Sequence, residues 1–278
     1  MSSKIKILWW NVHNFKDSAH AERVALRIKE INPEIFGLGE IIGEQAYELI
    51  AKRFPEHNFY MTYGKQAQEL LVGVKRTLQA FFSQKTEFNS GNAFVRPAVL
   101  VTINDAESPL NILFAHPKSF ASPSDFGQRD DFFQRVFALK SLLDKKVQGD
   151  ARFIVCGDMN TMGMSYLERD FIKADDELHH LSTEAGNAGL LFKEKSTHET
   201  WTGKHRPNKS ADLDHVIASD SVEFVQQKTD SGGSFEVRVG GWSDYPIKSA
   251  ERIYFIENVS DHCFLSFEVV LSTITTDS

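Results

Sequence analysis

Phe153-Ile154-Val155-Cys156-Gly157-Asp158-Met159-Asn160 is the stretch on which the reading of this chain turns. A short apolar run without polar alternation reads as a buried strand. It ends on a carboxylate and an amide two residues apart, which an extended chain projects to the same side. The pattern recurs along the chain. Asn11 follows Ile7-Leu8-Trp9-Trp10, Glu40 follows Ile35-Phe36-Gly37-Leu38-Gly39, and His116 follows Ile112-Leu113-Phe114-Ala115. Asp261-His262 precede Cys263-Phe264-Leu265-Ser266-Phe267. Asn, Asp and Gly are favoured wherever strands turn, but Glu and His are not. Together these junctions point to a functional site gathered at strand ends.

Working outward, strand-like and helix-like segments alternate. Strands are expected at Lys4 to Trp10, Glu34 to Gly39, Asn58 to Tyr63, Leu70 to Lys75, Phe94 to Ile103 and Leu110 to Ala115. Further strands are expected at Arg152 to Val155, Leu213 to Ala218, Val222 to Gln226 and Phe264 to Leu271. Helical spacing marks Ala19 to Ile31, Gly43 to Phe54 and Gln128 to Val147, the last with Phe132, Phe133, Val136, Leu139, Leu142 and Leu143 on one face. Thr161 to Asp212 reads as mixed helices and loops, and Thr229 to Asp244 as a long surface loop with a short strand. This mixture predicts a two-layered sheet core with helices on its outer faces. No repeat, linker or low-complexity block divides it, so one domain is expected.

The 278 residues carry 31 Lys+Arg against 38 Asp+Glu, a net charge of −7, with 41% hydrophobic and 25% charged residues. That composition belongs to an ordinary globular protein and excludes disordered, collagen-like and disulfide-scaffold classes. The acidic balance argues against holding nucleic acid through a broad basic surface. A nuclease stays open, because a metal site consumes carboxylates. The two cysteines, Cys156 and Cys263, sit inside apolar runs and read as buried free thiols. The N-terminus has no long apolar leader-like run, and no apolar segment approaches the ~18 residues of a membrane span. A reduced, cytoplasmic setting is expected.

Hard cations take carboxylate and amide oxygens, which Glu40, Asp158, Asn160, Asp261 and Asn11 supply. No Cys/His cluster has zinc spacing, no P-loop is present, and no Gly-x-Ser-x-Gly elbow suggests a serine hydrolase.

In this order, the motifs resemble the endonuclease/exonuclease/phosphatase superfamily, and within it the pancreatic-type deoxyribonucleases. The matching stretches are Trp10-Asn11, Leu38-Gly39-Glu40, Ala115-His116-Pro117-Lys118-Ser119, Gly157-Asp158-Met159-Asn160, Leu213-Asp214-His215-Val216-Ile217 and Ser260-Asp261-His262. The resemblance implies an α/β fold, a four-layer α-β-β-α sandwich of two packed mixed sheets flanked by helices. The matching stretches run from residue 11 to 262, and a single domain over 1–278 is expected, with a short flexible tail from about 273. The resemblance also implies Mg²⁺-dependent hydrolysis of a phosphoester by in-line attack of water, with Mn²⁺ as a substitute. Glu40 and Asn11 would hold the metal, with Asp158, Asn160 and Asp261 for a second or alternative ion. Asn160 is alternatively a donor to the scissile phosphate. His262, backed by Asp214, would activate water or clamp the phosphate. His116 would be general acid or phosphate ligand, with Glu69 matching the glutamate that orients a catalytic histidine in the deoxyribonucleases. Asp158 is the alternative base. Arg96 matches an arginine near the phosphate pocket.

A nuclease of DNA or RNA, endo- or exonucleolytic, is the first expectation. The alternative is a phosphatase or phosphodiesterase for a lipid headgroup, inositol phosphate or nucleotide, and a scaffold without turnover comes third. Lys204 and Arg206, in the basic loop Lys204-His205-Arg206-Pro207-Asn208-Lys209, together with Lys118 and Arg129, are the expected phosphate contacts. Trp201 is read as core rather than as a stacking platform. No extended hydrophobic loop for membrane docking is evident, and stable membrane association is not expected. His13, His20, His57, His179, His180, His198, His205 and His215 are read mostly as surface residues, His215 being the nearest to substrate.

Overall fold

The architecture is that of a computed structural model describing residues 2–15, 17–65, 68–167, 169–203, 206–228 and 232–272; the side chains of Ser2 and 206–209 are outside the description. The expected tail from 273, and Lys204, lie outside the described residues. Twelve strands build two six-stranded sheets: β1 (Ser2–Phe15), β2 (Ile35–Ile42), β3 (His57–Met61), β4 (Gln68–Lys75), β5 (Ala80–Lys85), β6 (Ala98–Ile103), β7 (Leu110–Ala115), β8 (Phe153–Asp158), β9 (Leu190–Phe192), β10 (Asp214–Ser219), β11 (Arg238–Gly240) and β12 (Phe264–Ser272). The first sheet runs β11-β12-β1-β2-β4-β3 and the second β9-β10-β8-β7-β6-β5. Each contains one parallel pair, β1 with β2 and β7 with β8, among antiparallel neighbours.

Alternation along β1 explains how the layers meet. Trp9 points between the sheets and stacks on Phe114 of β7, with ring centroids 6.4 Å apart. Trp10 points outward and stacks at 5.9 Å on Phe255 of α5 (Ala250–Asn258). The sheets approach so closely that a Cβ at Gly37 would lie 2.3 Å from the Phe114 ring. Helices α1 (Ser18–Ile31), α2 (Glu44–Ala51) and α5 cover the outer face of the first sheet through Val24, Ile28, Ile50 and Ile256. Helices α3 (Pro123–Val147) and α4 (Ala174–Asn187) cover the second, where Phe132, Phe133, Val136, Leu181 and Ala185 bury Leu113, Phe153, Val155 and Ile217. The result is the expected four-layer sandwich, with two mixed sheets and five helices.

Several elements differ from the sequence expectation. The Phe94–Ile103 segment becomes a strand only at Ala98, because Pro97 has no N–H for the ladder. Helix α3 starts five residues before Gln128, with Ser122 accepting the Asp125 N–H and Pro123 in the first turn. Val222–Gln226 forms no strand; Phe224 makes an isolated bridge to Val269. Strand β5, at a sheet edge, and the short helix α5, capped by Ser249, were not anticipated. The Thr161–Asp212 region holds strands as well as a helix. One of its ribbons, Met164–Tyr166 with Arg169–Ile172, exposes Tyr166, Leu167 and Phe171, an apolar surface that the sequence did not reveal. Among the described residues, no helix is long and apolar enough to cross a membrane.

Candidate active site

Strand direction creates the site. The carboxyl ends of the parallel pairs β1/β2 and β7/β8 emerge at one end of the sandwich, and antiparallel β10 and β12 begin there. Crevices outside strand carboxyl ends are the usual ligand sites of α/β sheets. Asn11 lies where the β1–β2 register shifts, and Glu40 where the β2–β4 register shifts between Leu38 and Ile41. Irregularities of this kind re-aim side chains. Glu40 adopts a left-handed φ of 61°, as do His13 (49°), Asn14 (53°) and Asn160 (52°). For Glu40, which lacks the local hydrogen bonding of Asn, that conformation costs on the order of 1–3 kcal/mol. Its carboxylate is held in return by the Asn14 N–H at 2.9 Å.

Asn11 is the hub. Its fully buried amide nitrogen donates to Glu40 Oε1 at 3.1 Å and Asp158 Oδ2 at 3.0 Å, and lies 3.4 Å from His262 Nε2. The other ring nitrogen, His262 Nδ1, pairs with Asp214 Oδ2 at 2.8 Å. His262 Nε2 and His116 Nε2 both face Asp158 Oδ2, at 3.7 and 3.4 Å. One ligand atom each from Asp158, Asp214 and His262 lie within 4.8 Å of one another. Asn160 anchors its backbone N–H on Asp158 and its amide on the Pro117 carbonyl. Glu40, His116, Asp158, Asn160 and His262 line a cleft of about 340 Å³ together with Arg96 and Asp261, and Asn11 and Asp214 are bonded to that lining from behind.

All four tryptophans of the chain donate their indole N–H to this constellation. Trp9 bonds Asp214 Oδ1 at 2.9 Å, Trp10 the His262 carbonyl at 3.1 Å, Trp242 the Asp261 carbonyl at 2.9 Å and Trp201 Asp261 Oδ2 at 3.2 Å. Ser260 adds a bond from its hydroxyl to the Asn11 carbonyl at 2.7 Å and accepts the His262 N–H. The Ser260–His262 segment is thereby tied into the core on each side.

A carboxylate behind a histidine, facing an all-oxygen acidic cluster, suits hydrolysis of a phosphoester. Residues 8–262 match the model of the endonuclease/exonuclease/phosphatase family. The chain belongs to that family. That membership supports, for the chain, the family's metal-dependent phosphoesterase chemistry in general. Among solved structures, D. rerio TDP2 complexed with single-strand DNA product is similar at 15% identity, TM-score 0.63, over 96% of this chain and 99% of that one. Truncated Caenorhabditis elegans TDP2 aligns at 16% identity and TM-score 0.61, over 96% and 97%. A family protein from Bacteroides thetaiotaomicron aligns at 12% and 0.63, over 98% and 96%. At these identities the likeness concerns the fold. No curated protein matches.

Charge is unevenly distributed across the family site. Burial, reinforced by Asp214 and Glu40 and partly offset by His262, pushes Asp158 up to about 7. Burial alone would lower His262, but Asp214 and Asp158 outweigh it and raise it to about 10. Burial, then Arg96 and His262, hold His116 well below the usual histidine range. At Asp261 burial opposes ionisation, yet the bond from His13 and the charge of His262 keep its carboxyl low.

Other expected residues fall differently. Glu69 does not reach His116: it accepts from the Thr62 hydroxyl and from the Gly64 N–H at 3.0 Å, and the buried Nδ1 of His116 has no partner among the described residues. Glu69 is also the weakest of the three carboxylate charges that support the buried Arg96 cation, after Glu40 and Asp158. Arg96 does face the cleft, bonded to the His116 carbonyl at 3.2 Å and Gln68 at 3.0 Å. Lys118 pairs with Asp125 at 3.5 Å, outside the cleft lining. Arg129 is fully buried against Glu177 and cannot contact substrate. His215 is also buried, near Thr161 and Lys195, so it is neither a surface residue nor a cleft residue. The Arg206 backbone lies in a ribbon with Gly203, and its side chain is outside the described residues. His20 and His57 are buried, at 8% and 4% exposure, rather than at the surface. His13 joins the cleft, with Nδ1 2.9 Å from Asp261 Oδ1, a placement foreshadowed only by its position two residues after Asn11. Trp201 lines the cleft as well, and so do Phe120 and Met162, for which the sequence carries no local signal.

Proposed function

We propose that the protein is a metal-dependent nuclease that cleaves phosphodiester bonds of DNA or RNA by in-line attack of water. The observation that carries this reading is the 2.8 Å His262–Asp214 bond, directed toward the same Asp158 Oδ2 that Asn11 links to Glu40. The single-strand DNA product seen with D. rerio TDP2 supports a polynucleotide substrate.

The donor set fits a hard cation, since Glu40, Asp158, Asn160 and Asp261 offer carboxylate and amide oxygens to the cleft, while Asn11 turns its amide nitrogen to Glu40 and Asp158. Mg²⁺, or Mn²⁺ in its place, would supply charge neutralisation at the phosphate. Glu40 would be its main holder, with Asn11 fixing Glu40 and Asp158 beside it. Asp158, whose pKa burial raises to about 7, would in its ionised form accept a proton from the attacking water. His262 is kept positively charged by Asp214 and Asp158, which suits it to clamp a phosphoryl oxygen as negative charge develops. His116, held neutral, and Arg96 complete the phosphate pocket, and Asn160 can donate to the phosphate. The buried, unpaired Cys156 and Cys263 fit a reducing, cytoplasmic setting.

The test is hydrolysis of supercoiled plasmid, single-stranded DNA, RNA and a small phosphodiester, with Mg²⁺, Mn²⁺ or EDTA, beside Glu40→Ala and His262→Ala. Metal-dependent cleavage of polynucleotide, lost in both variants, is expected. Turnover of the small ester alone would replace the nuclease by a small-molecule phosphodiesterase.

A further inference from the structure

We propose that Phe120 is a stacking residue for a nucleobase flanking the scissile phosphate, displayed in the cleft by the buried Arg129. This assignment rests on the nuclease reading above. Phe120 lines the catalytic cleft, is 65% exposed and has a left-handed φ of 78°. Glycine takes that conformation freely; a bulky L-residue is strained in it. An aromatic ring that is both strained and solvated contributes nothing to the core, and a local rule broken without a packing gain marks function.

The surrounding structure enforces the strain. The Phe120 carbonyl accepts from Arg129 Nη1. The same guanidinium binds Glu177 at 2.9 and 3.1 Å and the Gly163 carbonyl at 2.7 Å. Gly163 returns its N–H to Glu177 at 2.6 Å, and the Ser165 N–H bonds the Ala121 carbonyl, also at 2.6 Å. One buried cation therefore ties together the two loops that follow His116 and Asn160, and presents Phe120 and Met162 to the cleft.

The chemistry of the ring selects its occupant. Lys118 Nζ, which also pairs with Asp125, lies over one face of the Phe120 ring, 5.1 Å from its centroid, so a planar group stacking on the opposite face would have a cation nearby for its adjoining phosphate. Bases inside a duplex already stack on their neighbours, so the ligand class is a single-stranded or frayed polynucleotide.

Phe120→Gly, Phe120→Ala and Phe120→Trp would be compared with wild type. The readouts are KM for a fluorescein-labelled single-stranded oligonucleotide, turnover of dimethyl phosphate (a small ester with no group able to stack) followed by phosphorus NMR, oligonucleotide affinity by anisotropy in EDTA, and Tm. Phe120→Gly and Phe120→Ala are expected to weaken KM and binding about 5- to 150-fold, the range of base–aromatic stacking. Small-ester turnover should stay unchanged, Tm of Phe120→Gly unchanged or higher, and Phe120→Trp should retain binding. Oligonucleotide affinity and KM within twofold of wild type in Phe120→Gly, or equal loss on both substrates, would overturn the assignment. If wild type hydrolyses the small ester but neither cleaves nor binds the oligonucleotide, the polynucleotide reading falls and this assignment with it. If wild type hydrolyses nothing, the phosphoesterase reading falls alone, and the binding arm still decides on Phe120.

Discussion

Two buried ionic centres lie within one α/β sandwich, and they are built on opposite principles. At Arg129 one cation meets one carboxylate, Glu177, and the remaining guanidinium donors end on the Phe120 and Gly163 carbonyls. At His262 one imidazole faces Asp214 and Asp158, with Glu40 joined through Asn11 and Asp261 beside it in sequence. The first centre is neutral and closed; the second has surplus negative charge and opens into a cleft. Burying a charge is tolerable when it is paired and hydrogen-bonded and costly otherwise. The balanced pair therefore braces loops, and the unbalanced cluster is the one whose surplus charge the proposed cation would offset.

Breaking each centre should have different consequences. The largest effect is expected at the open one: His262→Gln and Asp214→Asn should each lower kcat/KM by about 10²–10⁴-fold. Steady-state kinetics would check this, and a loss of less than tenfold in either variant would refute it. At the closed centre, Arg129→Leu leaves Glu177 uncompensated and should cost about 3–5 kcal/mol, largely recovered in Arg129→Leu/Glu177→Leu. Denaturant titration of the single and double variants measures that recovery.

His215, behind the cleft, provides a pH version of the comparison. Burial, then Lys195, depress it from 6.5 to about 3, while Asp212 opposes them. Its folded pKa is lowered, so its stabilising contribution is present above about 6.5 and is lost as pH falls toward 3. Relative to His215→Gln, the wild type should lose on the order of 3 kcal/mol by pH 4. A constant difference between the two unfolding curves from pH 7 to 4 would refute this. Mg²⁺ at about a hundred times its dissociation constant should stabilise the wild type by ~2.7 kcal/mol and leave Glu40→Gln unaffected, read as a Tm shift. The smallest effect belongs to Trp201→Phe, which removes one bond to Asp261 and should cost about 1 kcal/mol in denaturant titration.

Much of the frame was legible before folding was considered. The apolar runs ending at Asn11, Glu40, His116 and Asp158, and the one beginning after His262, are β1, β2, β7, β8 and β12. Their chemistry was visible because a strand buried on both faces has no other use for a carboxylate or imidazole at its end. Helix α3 was recognised from its apolar face, but its start was missed because the first turn is set by the Ser122 cap and Pro123 rather than by hydrophobic spacing. Strand β5 escaped notice because an edge strand need not be continuously apolar; its burial pattern alternates between half-buried and exposed.

Partnership was the part that sequence could not resolve. Arg129 and Lys118 carry the same formal charge near His116, yet one is sealed against Glu177 and the other sits on Asp125. Glu69 binds Thr62 and Gly64 instead of His116, and His13, an ordinary polar residue in the string, stands beside Asp261. Residue type and apolar periodicity are local properties, so the sequence by itself determined the elements, the acidic set at their ends and the family. Which groups meet is a property of two sheets packing over 48 residues between Asp214 and His262 and 147 between Asn11 and Asp158. Only that packing decided which buried charge is balanced and which is left open for chemistry, because desolvation and Coulomb energy depend on distances that no local pattern encodes.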